Sequence, residues 1–523
     1  MPYAIDLFCG AGGFSEGIIQ AGFNIVFSSD KSPMVEETYT NRHKQLGLVE
    51  GVDTHFELAD IKDLTTELIF KSINNLKYGN IFEPGSIDAI FGGPPCQGFS
   101  RLGKRDTKDP RNMLFHEYLR IIKDIQPRYV VMENVTGILD MRMLDFPSVL
   151  SNNYYAGQTL VQDILNSELI GLGYTVLDVQ VLNAAHFGVP QQRNRVVFLA
   201  YRNDVVPVTY PVINNDRTTV YDAFGSLYPN TDFQYDTQYS FNSLEGRTPN
   251  VITGRPIPRE YITNMETSKH ETIVQERFSL YRQGENRRKA VNRLKNTGIN
   301  LRTAAPSLFY ESLFQLNSKT NAVLIKKTLE KLNLLANVNI NDKWLHFTNR
   351  QLSLLKQFHD LHDDISFKRT ILSLSSRLNT NLETTKIFWN KINKRLNKEI
   401  DEITYHNELL NGEISDDMAE AIFTKKGIRT RLDVENVSPT MVTLPDDFIH
   451  PYFNRILTVR EMARLQSFDD SFEFLGKRTT GGSQRALETP QYTQVGNAVP
   501  PLLARAIAEE VFNATQHTDN RYY

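Results

Sequence analysis

Apolar positions in the first 200 residues fall into short runs separated by stretches with helical spacing. Tyr3–Phe8 reads as a strand and Phe14–Gln20 as the start of a helix. Asn24–Ser28 follows as a second strand, then the helical segment "SPMVEETYTNRH". "IDAIFGG" and "RYVVMEN" are continuous apolar runs of the kind buried on both faces of a parallel sheet. The helix "MLFHEYLRIIKDI" precedes the second of them, and "RVVFLAYR" adds a further strand. Short apolar strands alternating with helices predict a doubly wound α/β sheet. From about Val205 to Thr430 the alternation stops and Asn, Thr, Tyr and Pro become frequent. Inside that region "AVLIKKTLEKLNLL" and "IFWNKINKRLNKEIDEI" regain helical period, with Phe388, Ile392, Leu396, Ile400 and Ile403 at steps of four, four, four and three. A packed helical pair accounts for them better than a coiled coil, because the pattern does not persist over several heptads. After Arg455, "TVREMARLQSF" and "PPLLARAIAEEVFNAT" are compact helical sequence again, so the middle reads as an insertion between two parts of one unit.

Composition changes this picture little. The 523 residues allow two to four domains, and a formal charge of -3 gives no global sign of a polyanion partner. Two cysteines, Cys9 and Cys96, can make neither a disulfide framework nor a four-ligand zinc site. The start lacks a basic region before its apolar run, and no apolar stretch is long enough to span a bilayer. A cytoplasmic protein with no membrane partner is the expectation.

Candidate chemistry gathers at strand ends. "DLFCGAGGFSEG" opens a helix after the first strand, where glycines let the backbone approach a ligand. Its pattern is not GxGxxG, since Ser15 stands at the third glycine position, which disfavours a dinucleotide pyrophosphate. Asp30 ends the second strand, where a carboxylate can bind ribose hydroxyls, and Asp60 ends "HFELADI". An adenosine cofactor without a pyrophosphate fits this trio, S-adenosylmethionine being the common candidate. Singly, each carboxylate is equally well a helix cap or a solvated turn.

"GGPPCQGFS" places Cys96 after a strand and a stiff turn, at the sheet edge where α/β proteins bind ligands. A small buried thiol is the ordinary reading of such a cysteine. The polar loop beyond it, with Arg101, Lys104 and Arg105, favours a thiolate, and Cys96 is read as a nucleophile. Glu133 ends "VVMEN" at the same rim, where a desolvated carboxyl can donate a proton. Arg193 and Arg195 in "VPQQRNRVVFLA" lie two apart, on one face if a strand begins there, and two guanidiniums beside a carboxylate could orient it. Between Lys269 and Arg302 nine Lys/Arg face three Glu, a local charge of +6 that suits phosphate contacts, with Arg287 and Arg288 at its centre.

Together these residues resemble the cytosine-5 methyltransferase family. "DLFCGAGGFSEG", "GGPPCQGFS", "DPRNMLF", "ENV", "PQQRNR", "RILTVREMARLQSF" and "QVGNAVPP" occur in the family's order, and "TVYDAFGSL" and "SPTMVTL" look like its pieces flanking a recognition region. The resemblance implies a Rossmann-like S-adenosylmethionine-dependent catalytic domain over 1–212 and 451–523. A target-recognition domain over 213–450 would carry a partly helical insertion at 301–431. It implies that Phe8, Gly10 and Gly12 line the cofactor site, with Asp30 on the ribose and Asp60 near the adenine amine. Pro95 and Cys96 would meet the cytosine, and Glu133 would contact its N3 and amine. Arg193 would orient that glutamate, and Arg195 would reach the base O2. Asn497 and Val499 would fold back beside the cofactor, while Ser100, Arg287 and Arg288 would contact DNA. Lys31 departs from the family, which often has an apolar or aromatic residue there. The implied reaction transfers a methyl group to C5 of a flipped-out cytosine in duplex DNA through a covalent bond from Cys96 to C6, with no metal. The expected protein is a monomeric modification enzyme accompanied by a cognate restriction endonuclease. A tRNA cytosine methyltransferase is a rival within the enzyme class, disfavoured by the large insertion. A binding-only homologue is disfavoured by the retention of Cys96, Glu133 and the arginine pair.

Overall fold

The chain is described by a computed structural model over residues 2–95, 113–214, 216–228, 231–338, 371–372, 374–392, 402–480 and 488–519. Strands β1 (Tyr3–Leu7), β2 (Asn24–Asp30), β3 (His55–Leu58), β4 (Ala89–Gly92) and β5 (Tyr129–Asn134) alternate with helices α1 (Gly13–Ala21), α2 (Pro33–Gln45), α3 (Thr66–Asn74) and α4 (Leu114–Ile125). These five strands pair in parallel in the order β3-β2-β1-β4-β5. Side chains of β4 and β5 are buried on both faces, which is why their sequences are unbroken apolar runs.

Two elements depart from simple winding. A hairpin, β6 (Arg142–Pro147) with β7 (Tyr154–Leu160), precedes helix α5 (Val161–Gly171). The sheet then continues through β8 (Tyr174–Val176), β9 (Gln180–Asn183) and β10 (Asn194–Arg202). Strand β10 lies antiparallel to β5 and carries both β8 and β9. One apolar layer, including Ile90, Leu119, Ile122 and Val130, packs on one sheet face against α3, α4 and α5. The other, with Phe14, Ile18, Phe91, Val197, Leu503 and Ile507, joins α1 to the helix Pro501–Asp519.

Contacts divide the chain into two compact units. One comprises Met1–Ser268, Leu432–Asp446 and Ile456–Tyr523, and the other Lys269–Arg431 and Asp447–Arg455. The first compact unit thus includes the segment from 213 to Ser268 as well as 1–212. The segment after 212 is bound to it by Arg247 on Asp469 at 2.7 Å and by the Val251 amide on the Leu46 carbonyl at 2.8 Å. In the second unit the long helix Pro306–Lys331 leads into a separate apolar cluster of Ile325, Leu329, Leu374, Leu378, Phe388, Trp389 and Ile392. Phe388 and Ile392 are buried as the spacing predicts. Ile403, counted with them, is 72% exposed on the next described helix, Glu402–Asn411, and Leu396 and Ile400 lie outside the described residues. Among the described residues no helix is long and apolar enough to cross a membrane.

Candidate active site

A cavity of about 330 Å³ opens at the carboxyl ends of β1, β2, β4 and β5 within the first unit. Phe8 leaves β1 in the left-handed region at φ 57°, a conformation that costs a non-glycine residue energy and recurs at functional sites. Its ring lines the cavity with Val35, Ile61 and Leu114. Behind it, Gly12 caps α1. A Cβ on Gly13 would lie 2.3 Å from the Val499 carbonyl, so only glycine lets the C-terminal segment close on this loop.

Asp30 lines the cavity at the end of β2. Its carboxylate accepts from the Gly10 amide at 3.2 Å and from the Ser32 amide at 2.9 Å, which ties the glycine loop to the strand end. Burial pushes its pKa up, opposed by those amides and by Lys31. Asp60 stands at the rim with Lys31 Nζ 4.0 Å away, both side chains partly solvated. Lys31 thus turns its ammonium toward that carboxylate while still lining the cavity. Asn497 and Val499 line it from the C-terminal segment, along with Gln494, which accepts a bond from Thr38 on α2 at 2.8 Å.

The other wall belongs to β4, β5 and β10. Pro94 and Pro95 follow β4, and Asn134 Nδ2 donates to the Pro94 carbonyl at 3.1 Å, fixing the turn against the end of β5. A Cβ on Gly93 would come 3.3 Å from Glu133 Oε2, so the glycine leaves that carboxylate its place. Glu133, 8% exposed, pairs with Arg195 Nε at 2.5 Å. Cys96 and Ser100, the expected nucleophile and a DNA contact, lie outside the described residues. The described turn ends one residue before the cysteine.

Of the two arginines, the one paired with Glu133 is Arg195 and not Arg193. Arg193 does not share a strand face with Arg195, because β10 begins at Asn194. Its guanidinium, 1% exposed, donates to the carbonyls of Met441 at 3.1 Å, Gly496 at 2.9 Å and Ala498 at 3.0 Å. It clamps the segment that carries Asn497 and Val499. Arg195 is the residue that holds Glu133. Sequence reasoning also missed Gln191, fully buried, whose amide binds the Leu465 carbonyl, Gln466 and the Met441 amide. The "PQQR" quartet contained that signal, since a glutamine is costly to bury unless its bonds are used.

In the second unit the basic run is largely spent internally. Arg277 is buried on the Ile422 carbonyl, Arg293 pairs with Glu285 at 2.7 Å, and Arg302 pairs with Glu402 at 2.9 Å. Arg287 and Arg288 open the helix Arg287–Thr297, with Arg288 exposed and Arg287 half-buried. The +6 counted along the sequence therefore overstates the charge available to a partner.

The cavity fits an adenosine-type methyl donor: an aromatic ring and aliphatic side chains for a base, a strand-end carboxylate for hydroxyls, and a glycine loop at a helix start. Comparison with known proteins points the same way. The family described as C-5 cytosine-specific DNA methylase matches residues 3–328 and 319–513. Type II methyltransferase M.DdeI of Desulfomicrobium norvegicum is 27% identical over 97% of this chain and 88% of its own. Type II methyltransferase M.AgeI of Thalassovita gelatinovora is 26% identical over 97% and 98%. A crystal structure described as a prophage-encoded DNA modification methyltransferase from E. coli shares the fold, with a TM-score of 0.54 and 20% identity across 99% of this chain and 100% of its own.

Proposed function

The chain belongs to the C-5 cytosine-specific DNA methylase family, and from that premise we propose which residues carry its methyl transfer and in what setting it acts. The reaction moves a methyl group to C5 of a cytosine in DNA, with S-adenosylmethionine as donor. Bound in the cavity, that donor supplies an electrophilic methyl carbon. Phe8 packs on its base, Asp30 accepts from its ribose, and Asp60 lies toward its amine, while Asn497 and Val499 close the site from the C-terminal side.

Cytosine C5 is too weak a nucleophile to take the methyl unaided. The Cys96 thiolate adds to C6 while Glu133 places a proton on N3, and the resulting enamine is nucleophilic at C5. C5 takes the methyl group from the sulfonium, a base removes the C5 proton, the cysteine is expelled as thiolate, and N3 returns its proton to Glu133. Arg195 holds the glutamate in place, and Arg193 keeps the cofactor side of the cavity assembled. The observation that carries this reading is the Glu133–Arg195 pair facing the Pro94-Pro95 turn in the same cavity as Phe8 and Asp30. Because C6 is shielded in stacked duplex, the target base must leave the helix.

The setting we propose is modification of a specific duplex sequence in a restriction-modification system, with a cognate endonuclease. Support comes from relatives described as Type II methyltransferases that align over nearly the whole chain. Recognition would fall to the second unit, with Arg287 and Arg288 on phosphates.

A duplex with 5-fluorocytosine at the target tests the mechanism. Fluorine cannot leave C5 as a cation, so protein and DNA should remain joined through Cys96 in the presence of S-adenosylmethionine. No adduct should form with Cys96→Ala. Methylation by that variant, or an adduct mapped to Cys9, sinks the assignment. Bisulfite sequencing of DNA from expressing cells should show 5-methylcytosine in one sequence context, and modification scattered over all contexts would refute the restriction-modification reading.

A further inference from the structure

Asp6 is one of the residues that line the same cavity, and the methyl-transfer steps make no use of it. It sits on β1, 1% exposed, accepting one side-chain bond, from Ser15 Oγ at 2.5 Å. Ser15 shares a bond with the Tyr39 hydroxyl at 2.9 Å, and Tyr39 another with Ser28 at 2.5 Å. The titratable groups facing Asp6 are Asp30 from β2, Cys9 from the loop after β1, Tyr39 from α2 and Tyr118 from α4. Burial keeps the thiol and both phenols neutral, so none of these groups is a cation. The cavity's two arginines are engaged elsewhere, Arg195 on Glu133 and Arg193 on main-chain carbonyls. A carboxylate out of water, beside a second carboxylate and with no countercharge paired to it among the described residues, is unfavourable.

We infer that Asp6 is the residue by which this cavity prefers the methyl donor, a sulfonium cation, over its demethylated product, a neutral thioether. The inference rests on reading the cavity as the cofactor site. Burial above all, opposed by the Ser15 bond and assisted by Asp30, raises the Asp6 pKa to about 7. Without a nearby cation the group is therefore about half protonated near neutrality. Entry of a sulfonium favours the ionised form, and the proton leaves to solvent. After methyl transfer the sulfur is neutral, the carboxyl takes a proton back, and the product loses the attraction. Donor affinity therefore rises with pH through about 7, while product affinity gains nothing from this group. The donor-to-product affinity ratio should grow about tenfold from pH 6 to pH 8, the change in ionised fraction of a group titrating midway. Both ligands share the same amino-acid and ribose groups, so their titrations cancel in that ratio.

Calorimetric titration of the full chain with S-adenosylmethionine and with S-adenosylhomocysteine, at pH 6, 7 and 8, reads this directly. The wild type should show the growing ratio, and at pH 7 proton release on binding the donor alone, seen as a dependence of the heat on buffer. Asp6→Asn keeps the Ser15 bond and should flatten the ratio. Ser15→Ala removes a donor that favours the ionised form and should move the midpoint to higher pH. Asp30→Asn should weaken both ligands alike and, by removing a neighbouring negative charge, move the midpoint to lower pH without abolishing the pH dependence. A pH-independent ratio in the wild type, or an undiminished slope in Asp6→Asn, overturns the inference. If the wild type binds neither ligand, the cofactor-site reading itself fails and takes this inference with it.

Discussion

The two units of this chain use their arginines differently. In the first, Arg42, Arg193, Arg460 and Arg464 are at most 2% exposed and join segments far apart in sequence. Arg464 binds Asp470 and the carbonyl of Ala223 at 3.1 Å, and Arg193 reaches residues 441 to 498. In the second, Arg277 and Arg431 are also buried on distant carbonyls, but Arg293 pairs with a glutamate eight residues away, Arg302 meets Glu402 on a solvated surface, and Arg287 and Arg288 lie at a helix start. The lesson is that a motif arginine is not thereby a reacting one. In the first unit these charges are spent on holding distant segments together, and of the four only Arg193 lines the cavity. In the second their number along the sequence says little about the field presented to a polyanion.

Substitutions can break or sharpen this contrast. The largest effect is expected at Glu133, where Glu133→Gln removes the proton source for N3. The maximal rate should fall by about 10²–10⁴-fold with DNA binding retained. Arg195→Ala should resemble it, whereas loss of DNA affinity without loss of rate would place Arg195 outside the reaction. Arg193→Ala should act on stability instead, because three buried carbonyls lose a charged donor, at a cost of about 3–5 kcal/mol. Denaturant unfolding measures this, and Arg193→Lys should not restore it, since an ammonium lacks the planar fork. Wild-type stability in Arg193→Ala would mean the clamp is idle.

Asp30→Ala should weaken S-adenosylmethionine by roughly 1.5–3 kcal/mol, the worth of charge-assisted bonds to a ribose, with DNA binding by the cofactor-free protein unchanged. Equal affinity in calorimetry would remove Asp30 from the site. The smallest effect belongs to the second unit. Charge reversal at Arg287 and Arg288 should lower the slope of log affinity against log salt by up to about 1 for each phosphate no longer neutralised. Arg293→Ala should leave that slope alone and lower thermal stability. Equal slopes in all three proteins would make the whole run a solvated face.

Much of the first unit was legible because its chemistry sits at strand ends. Continuous apolar runs announced β4 and β5, and the residue after each run, Gly93 or Glu133, reaches the rim by geometry alone. Arg193 was misread for a physical reason. Alternation along a strand puts residues two apart on one face, yet Arg193 precedes β10 and follows no such rule. The hairpin β6–β7 was passed over although Met143 and Phe146 are buried and Leu144 is exposed. A bulge between Leu144 and Phe146 breaks the period that would have revealed it. Asp6 escaped notice because an acidic residue inside an apolar strand looks like an interruption, and only burial beside a cavity gives it meaning. In the second unit, internal pairing such as Arg302 with Glu402 joins residues 100 apart. No count along a window can anticipate that cancellation.

The close approach of Gly13 to the Val499 carbonyl has a consequence for how this protein comes into being. The glycine loop that opens the cavity leaves a ribosome long before the segment at 497–499 that finishes it. At roughly 5–20 residues per second, tens of seconds of translation separate them. During that interval β1, β2, β4 and β5 can form their sheet while α1 lacks the helix that covers its inner face. The nascent chain would thus present Phe14 and Ile18 to solvent, a surface for chaperones to shield, and would hold no finished cavity. Methylating capacity would arrive abruptly, once the segment around Val499 has been made and closes on the loop, rather than grow as the strands accumulate.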